Sequence, residues 1–211
     1  MRKVDALLKL SALAALAGAA AVWHHLHMQY FLMHVHDTLA KRLPKRLRAY
    51  KWRSRSSILQ VYFGEPSVHY EVWVQRKTGQ IEVGLHFEGE REENYRWAEA
   101  LSPRALEIQA QLGPQVELEE WTQKWTRLHE QRPFGGREWK PSRDLSEELA
   151  EEIGERLARF IEVLEPIVAK ERANVAVAKP RAKKRVKAPS PTRDGARRKA
   201  AESTRTGKRT R

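Results

Sequence analysis

Cysteine is absent from the 211 residues of this chain. Its absence excludes disulfide frameworks, thiolate zinc sites, iron–sulfur clusters and a cysteine nucleophile. The sequence also lacks a glycine-rich phosphate loop, a nucleophile elbow and a His-Glu-x-x-His zinc motif. We therefore predict no catalytic residue and no cofactor, and favour a non-enzymatic role over an enzymatic one.

Positive and negative charges are separated along the sequence. Residues 1–56 carry a net charge of +9, residues 57–169 a net charge of −9, and residues 170–211 a net charge of +13. Hydrophobic residues make up 41% of the chain, which is enough for one core, and we place that core in the acidic region. Affinity for polyanions is then expected in the two basic flanks.

Three regions follow from this division. Residues 1–56 are predicted to be an N-terminal helical segment, first apolar and then basic. Residues 57–170 are predicted to form an acidic α+β domain, and residues 171–211 a disordered polycationic tail, since this tail has several prolines and no aromatic residue.

The tail is the predicted nucleic-acid-binding region. Its lysines and arginines would displace counterions from DNA or RNA, which gives weak, sequence-independent and salt-sensitive binding. The same composition also suits a solubilising tail, or one that contacts ribosomes or anionic lipid. The candidate residues are Lys179, Arg181, Lys183, Lys184, Arg185, Lys187, Arg197, Arg198, Lys199, Lys208, Arg209 and Arg211.

The N-terminal apolar run has several interpretations. Residues 10–23 are uncharged, but they are shorter than the roughly 20 residues of a membrane-spanning helix and suit a signal peptide or a buried helix better. Extension to residue 35 adds four histidines and gives a poor membrane span through residues 10–35. In that case the cations at 41–55 would keep the rest of the chain cytoplasmic, anchored to the inner membrane. A translation start at Met28 or Met33 is the other alternative.

The segment from Asp37 to Tyr50 has leucines at a spacing of four with cations between them. This pattern predicts a basic amphipathic helix that Pro44 interrupts. Such a helix suits a membrane interface, a protein surface or a nucleic-acid contact equally well.

Alternating apolar residues predict three strands, at about residues 58–63, 68–74 and 81–87. If Thr78 and Gly79 form a two-residue loop, Val74 pairs with Val83 and the apolar faces of the second and third strands coincide. This register places the polar residues of both strands together on the other face.

Four of those polar residues, His69, Glu71, His86 and Glu88, form a square in this register, with His69 opposite Glu88 and Glu71 opposite His86. Imidazole and carboxylate groups are suitable ligands for a divalent metal. However, cross-strand pairs of opposite charge also occur on ordinary exposed sheets, and the sequence shows no open coordination position. We therefore predict a charged or partner-covered surface without a metal, and retain the four residues as metal candidates.

Helical periodicity predicts the remaining elements. One helix runs from about residue 90 to 112 with a break at Ser102-Pro103. Another follows a capping box formed by Asp144 and Glu147, and Pro166 kinks or ends it. Residues 115–131 are predicted to contain one or two strands, with Trp121 and Trp125 in the core or at its rim. The predicted fold is α+β, with an antiparallel sheet of three to five strands packed by two helices.

One fragment, Glu138-Trp139-Lys140 with Asp144 nearby, has the Glu-x-Lys pattern of metal-dependent nucleases. It lies in a predicted loop and no Pro-Asp precedes it, so a nuclease is an alternative rather than our first hypothesis.

Residues 68–169 resemble, in the order of their motifs, a bacterial domain of unknown function that is often attached to restriction-endonuclease-like modules. The similar motifs are "HYEVWV", "IEVGLHFEG", Asn94 at a helix start, "ALEIQAQLG", "LEEW" and "LEPIVA". The resemblance implies an antiparallel sheet with two packed helices and a role near DNA, but no catalytic residue. Pro103 departs from the pattern.

The first functional hypothesis is a cytoplasmic interaction domain that associates with DNA or RNA through its tail and leaves its acidic face free for a protein partner. The alternatives are a membrane-anchored cytoplasmic protein and a metal-dependent nuclease.

Overall fold

The computed structural model describes residues 2–135 and 140–177. The predicted nucleic-acid-binding residues from Lys179 to Arg211 lie outside these residues, as do Glu138 and Trp139 of the nuclease-like fragment. The elements are α1 (Arg2–Arg42), β1 (Lys51–Arg55), β2 (Ile58–Tyr62), β3 (Val68–Gln75), β4 (Gln80–Phe87), α2 (Arg91–Leu101), α3 (Ala105–Leu112), β5 (Glu117–Glu120), β6 (Thr126–Pro133), α4 (Pro141–Asp144) and α5 (Glu147–Val177).

The strands form one antiparallel sheet in the order β1-β2-β3-β4-β6-β5. This confirms the predicted α+β class and the antiparallel sheet. The sheet has six strands rather than three to five, because Lys51–Arg55, in the segment predicted to be helical, forms the edge strand β1. An edge strand pairs on one side only and often carries charged side chains, so β1 lacks the apolar alternation that reveals a central strand.

The register of the β3–β4 hairpin differs from the predicted one. Val74 pairs with Ile81 rather than Val83, and the loop has four residues, closed by hydrogen bonds from Thr78 N–H and Gly79 N–H to the carbonyl of Gln75. The pairing has moved by two positions. Because side chains alternate with a period of two, a shift of two leaves the same residues on each face and changes only their partners.

The apolar face of the sheet is covered by helices. Tyr70 of β3 donates a hydrogen bond to Glu165 of α5, and Phe87 of β4 stacks on Trp97 of α2 with ring centroids 5.4 Å apart. The predicted break between α2 and α3 at Ser102-Pro103 is present as a 3₁₀ turn. The stripe of α5 that packs in the core consists of Ile153, Leu157, Phe160, Ile161, Leu164 and Val168.

The predicted cap of the last helix is wrong. Asp144 ends α4, and the hydroxyl of Ser146 accepts the N–H of Leu149 and so caps α5. Pro166 does not end α5, which continues to Val177.

The second half of α1 belongs to the same core. Its residues Met28, Phe31, Leu32, Val35 and Leu39 recur at helical spacing and are buried. They extend the core, and β1 extends the sheet, upstream of Ser57, where we expected the domain to begin. In the described ranges, none of the helices is both long and apolar enough for a membrane crossing.

Candidate metal centre on the polar face of the sheet

The face of the sheet opposite the helices carries charged side chains that are buried. His69 and Glu71 of β3, and Glu82 and His86 of β4, are each at most 3% exposed. The expectation that this face points to solvent is therefore wrong. Burial of several ionisable groups is costly unless they pair with one another or with a cation, so their pairing determines what the site can do.

The connection between β5 and β6 covers this face. The ring of Trp121 lies 5.7 Å from that of Trp73 and 6.0 Å from that of His86, and the guanidinium of Arg127 lies 4.8 Å from the Trp121 ring. Hydrogen bonds from Trp121 N–H to the carbonyl of Trp125 and from Trp125 N–H to the Thr122 hydroxyl hold the turn. We expected the two tryptophans in the core or at its rim, and they are half-buried above the polar residues.

His69 is held in one orientation. Its Nδ1 lies 2.8 Å from the carbonyl oxygen of Pro66, and because a carbonyl only accepts, Nδ1 carries the hydrogen. Its Nε2 lies 3.3 Å from Glu71 Oε2 and 2.9 Å from the amide nitrogen of Gln60. The same amide donates to Glu71 Oε2 at 2.6 Å. The lone pairs of His69 and Glu71 therefore point toward one another across this amide.

His86 lies between two carboxylates. Its Nε2 is 3.0 Å from Glu82 Oε1, and its Nδ1 is 3.7 Å from Glu88 Oε1. Neither ring nitrogen has a hydrogen bond of acceptable geometry to any of the described residues, although the side chain is 1% exposed. Glu82 is itself fixed by Arg127 Nη1, at 2.7 and 2.9 Å from its two oxygens.

The carboxylates make the electrostatic potential within this cluster negative. Burial lowers the pKa of His86, but Glu82, Glu88 and Glu71 outweigh it and raise the pKa to about 9. Burial raises the pKa of Glu71, but the neighbouring histidines and Gln60 outweigh it, so this pKa falls below its ordinary value. The site therefore stabilises a positive charge at its centre.

The ligand atoms of the four predicted metal candidates, His69, Glu71, His86 and Glu88, all lie within 4.8 Å of one another. The structure thus brings together the whole predicted set, although the residues directly opposite each other are His69 and His86.

Sequence analysis missed the residues around this set. Gln60 of β2 contacts His69 and Glu71, whereas Arg127 and His129 of β6 contact Glu82, which lies beside His86. Local alternation contains no signal for such contacts. Gly84 of β4 is a sequence signal for the contact with β6, since an isolated glycine in a strand often marks a close approach of a neighbouring backbone. A Cβ at Gly84 would lie 2.7 Å from the Cβ of His129.

A second feature, the basic segment, comprises the eight cations between residues 41 and 55. They lie at the end of α1, on the 3₁₀ turn Lys45–Leu47 and along β1, and all eight are exposed. Arg42 pairs with Glu155, Arg48 donates to backbone carbonyls and Arg53 donates to Gln60. The others, for which the described residues provide no carboxylate partner, are Lys41, Lys45, Arg46, Lys51 and Arg55.

No protein-family model, no curated protein and no solved structure matches this chain. The resemblance to the domain found with restriction-endonuclease-like modules therefore stays a prediction.

Proposed function

We propose that this protein is a non-enzymatic domain that associates with DNA or RNA through phosphate contacts, made by the basic segment at 41–55 and by the basic tail at 179–211. The observation that carries the proposal is the exposure of all eight cations of the basic segment. Cations that are exposed and lack a carboxylate partner are free to replace the counterions of a nucleic-acid backbone.

The geometry of β1 supports phosphate binding. Lys51, Arg53 and Arg55 occupy alternate positions of an extended edge strand, so they project from one face about 6.6 Å apart. Arg53 and Arg55 also line a shallow pocket with Ile58 and Gln60.

The charge distribution favours an orientation. The region 57–169 has a net charge of −9, so it repels a polyanion and directs it to the basic segment and the tail. Phosphate contacts of this kind position a protein on nucleic acid without sequence readout. A cytoplasmic location, and a protein partner on the acidic surface, are further parts of this proposal.

The test measures binding of a fluorescent duplex and a single strand over a range of salt concentrations. The triple variant Lys45→Glu, Arg46→Glu, Lys51→Glu changes cations without carboxylate partners among the described residues. It should weaken binding at least about tenfold and reduce the slope of log K against log salt by roughly 2 to 3, since each phosphate contact contributes about 0.9. Deletion of residues 179–211 should reduce the slope further.

The matched control is the triple variant Lys77→Glu, Lys124→Glu, Lys170→Glu. It has the same change in net charge at exposed positions away from the basic segment. Its salt slope should stay within about one unit of the unsubstituted protein. Equal losses in both triple variants would mean that net charge alone attracts the nucleic acid, and would reject the basic segment as a binding surface.

A second candidate function, attachment to an anionic membrane surface, is favoured by one observation. Val22, Trp23, Leu26, Tyr30 and Met33 form an exposed apolar stripe on α1, upstream of the basic segment. Cosedimentation with phosphatidylserine vesicles tests it. Binding that the double variant Trp23→Ser, Leu26→Ser abolishes, together with no binding of nucleic acid, would replace the first proposal by this one.

A further inference from the structure

We propose that His69, Glu71, His86 and Glu88 bind one zinc ion, which joins β3, β4 and the residue that follows β4. This site is independent of the nucleic-acid proposal, because none of its ligands belongs to the basic segment or the tail.

The distances between the donor atoms support a tetrahedral site. Zinc binds imidazole nitrogen at 2.0–2.1 Å and carboxylate oxygen at about 2.0–2.2 Å, so two ligand atoms of a tetrahedral ion lie roughly 3.3–3.5 Å apart. His69 Nε2 and Glu71 Oε2 are already 3.3 Å apart, and His86 Nδ1 and Glu88 Oε1 are 3.7 Å apart. Since all four ligand atoms lie within 4.8 Å, small side-chain rotations bring the remaining distances into range.

The polar contacts behind the ligands have the arrangement of a metal site. A histidine that binds a metal through one nitrogen normally donates its other N–H to a carbonyl or a carboxylate. His69 donates Nδ1–H to the carbonyl of Pro66, and His86 places Nε2 3.0 Å from Glu82. Each ring therefore directs its second nitrogen toward a carboxylate of the set, Nε2 of His69 toward Glu71 and Nδ1 of His86 toward Glu88.

Two observations point to a bound cation rather than to a chance cluster of charges. The ring nitrogens of His86 are buried without a hydrogen bond of acceptable geometry to the described residues. In addition, the amide nitrogen of Gln60 donates to both His69 Nε2 and Glu71 Oε2. The partly positive amide hydrogens therefore lie where the lone pairs of His69 and Glu71 converge, which is the position a cation would take. A cation in this position replaces the amide of Gln60, a side chain that is only half-buried.

The balance of charge agrees with a doubly charged ion. The carboxylates of Glu71, Glu82 and Glu88 surround the position of the ion. Arg127 pairs with Glu82 and neutralises its charge. An ion of charge +2 that displaces the proton of His86 lies between two neutral imidazoles and neutralises the other two carboxylates. This removes most of the cost of burying carboxylates together.

The ligand set favours zinc over magnesium and calcium. Magnesium and calcium prefer six or more oxygen ligands, whereas two imidazoles and two carboxylates suit a four-coordinate zinc ion. Three of the four ligands are buried and Glu88 is 24% exposed, so protein side chains fill all four positions. A closed site of this kind stabilises the fold and does not bind a substrate.

The experiment uses the full chain, stripped of metal by a chelator, with zinc titrated by calorimetry and cobalt absorption used to report tetrahedral coordination. His24, His25 and His27 of α1 are replaced by alanine in every protein, because three neighbouring histidines would bind zinc independently of the proposed site. We expect one zinc per chain, a higher melting temperature with zinc, and no such effect of magnesium or calcium.

The variants locate the ion. His69→Ala and His86→Ala should each weaken zinc binding at least about 100-fold. His34→Ala is the matched control, since His34 lies on α1 beside Glu151, outside the polar face of the sheet, and the zinc affinity of this variant should change less than about fivefold. If the two alanine variants do not fold by circular dichroism, Glu88→Gln at the partly exposed ligand provides the same test.

Three results would overturn the proposal. The first is no stoichiometric zinc in the stripped and refilled protein. The second is a zinc affinity that falls as much in His34→Ala as in His86→Ala. The third is tight binding of calcium or magnesium in place of zinc. Because nucleic-acid binding is measured separately, any of these results leaves the proposed function unaffected.

Discussion

His69 and His86 lie directly opposite each other in β3 and β4, with ring centroids 5.6 Å apart and an interplanar angle of 25°. Both side chains are almost fully buried, on the face of the sheet opposite the helices. Glu71 and Glu88 lie beside them and Glu82 supports His86. The position of one ring against the other therefore makes this face a convergent site rather than a row of separate surface charges.

We predict that Gly84→Ala destabilises the protein by about 1–3 kcal/mol, because the new Cβ would lie 2.7 Å from the Cβ of His129 and 2.9 Å from the carbonyl oxygen of Leu128. Neither contact is the flexible end of a side chain, so β4 and β6 have to separate. Denaturant unfolding measures the change. Gly89→Ala is the control, since its Cβ has no neighbour closer than 3.4 Å. Equal stability of the two variants would contradict the close approach of the strands.

The crossing of α1 and α5 leads to a second prediction. A Cβ at Gly154 would lie 2.6 Å from the Cβ of Thr38 and 2.8 Å from the carbonyl oxygen of Val35. Alanine is the better helix former by about 1 kcal/mol, yet we expect Gly154→Ala to lower the free energy of unfolding by roughly 1–3 kcal/mol, since the clash outweighs the propensity. Gly64→Ala, with ordinary contacts, should have little effect. A stabilised Gly154→Ala protein would show that α1 does not pack closely on α5.

Trp121 is predicted to shield the polar face. Trp121→Ala removes its contacts with Trp73 and His86 and the cation–π contact with Arg127, and we expect a loss of about 1–3 kcal/mol. Amide hydrogen exchange in β4 and β6 should accelerate, because water gains access to this face. Trp23→Ala, at a side chain that is 59% exposed, is the control for loss of an indole. Unchanged exchange in Trp121→Ala would mean that the ring is not the cover.

Glu165 gives the protein a predicted dependence on pH. Burial raises the pKa of Glu165 above its ordinary value of 4.5, although Arg172 and Tyr70 oppose the shift. The folded state then holds this proton more tightly than the unfolded state, so the contribution of Glu165 to stability falls as pH rises from below the ordinary pKa to above the raised one.

The variant Glu165→Gln tests this dependence, because glutamine cannot titrate but its carbonyl still accepts the hydrogen bond from Tyr70. The free energy of unfolding of the unsubstituted protein, minus that of the variant, should decrease as pH rises from below the ordinary pKa of 4.5 through the raised pKa. A difference that increases with pH would contradict the raised pKa.

The β3–β4 hairpin shows how far sequence reasoning reaches. Alternation correctly assigned the side chains of Val72 and Val74 to one face and those of His69 and Glu71 to the other. It failed on the register, because both a two-residue and a four-residue loop around Gly79 preserve that alternation. The choice between the two loops depends on backbone hydrogen bonds to Gln75, which leave no apolar pattern.

The edge strand β1 and the basic segment show a second limit. The cations between 41 and 55 suggested a basic amphipathic helix, and the structure divides them among α1, a 3₁₀ turn and β1. Pro44 was correctly interpreted as a break. The strand downstream of Pro44 depends on pairing between Arg53 and Gln60 in β2, and an edge strand gains this pairing without an apolar alternation of its own.

By itself, the sequence determined the α+β class, the antiparallel strands and the residues that share each face, because a period of two or of 3.6 is a local property of the backbone. Only the tertiary structure decided that His69, Glu71, Glu82 and His86 are buried. Their burial requires Trp121 to fold over the sheet and Arg127 to meet Glu82, 45 residues away in sequence. No local pattern encodes such a contact, since it depends on the positions of strands β4, β6 and β5 beside one another in the sheet.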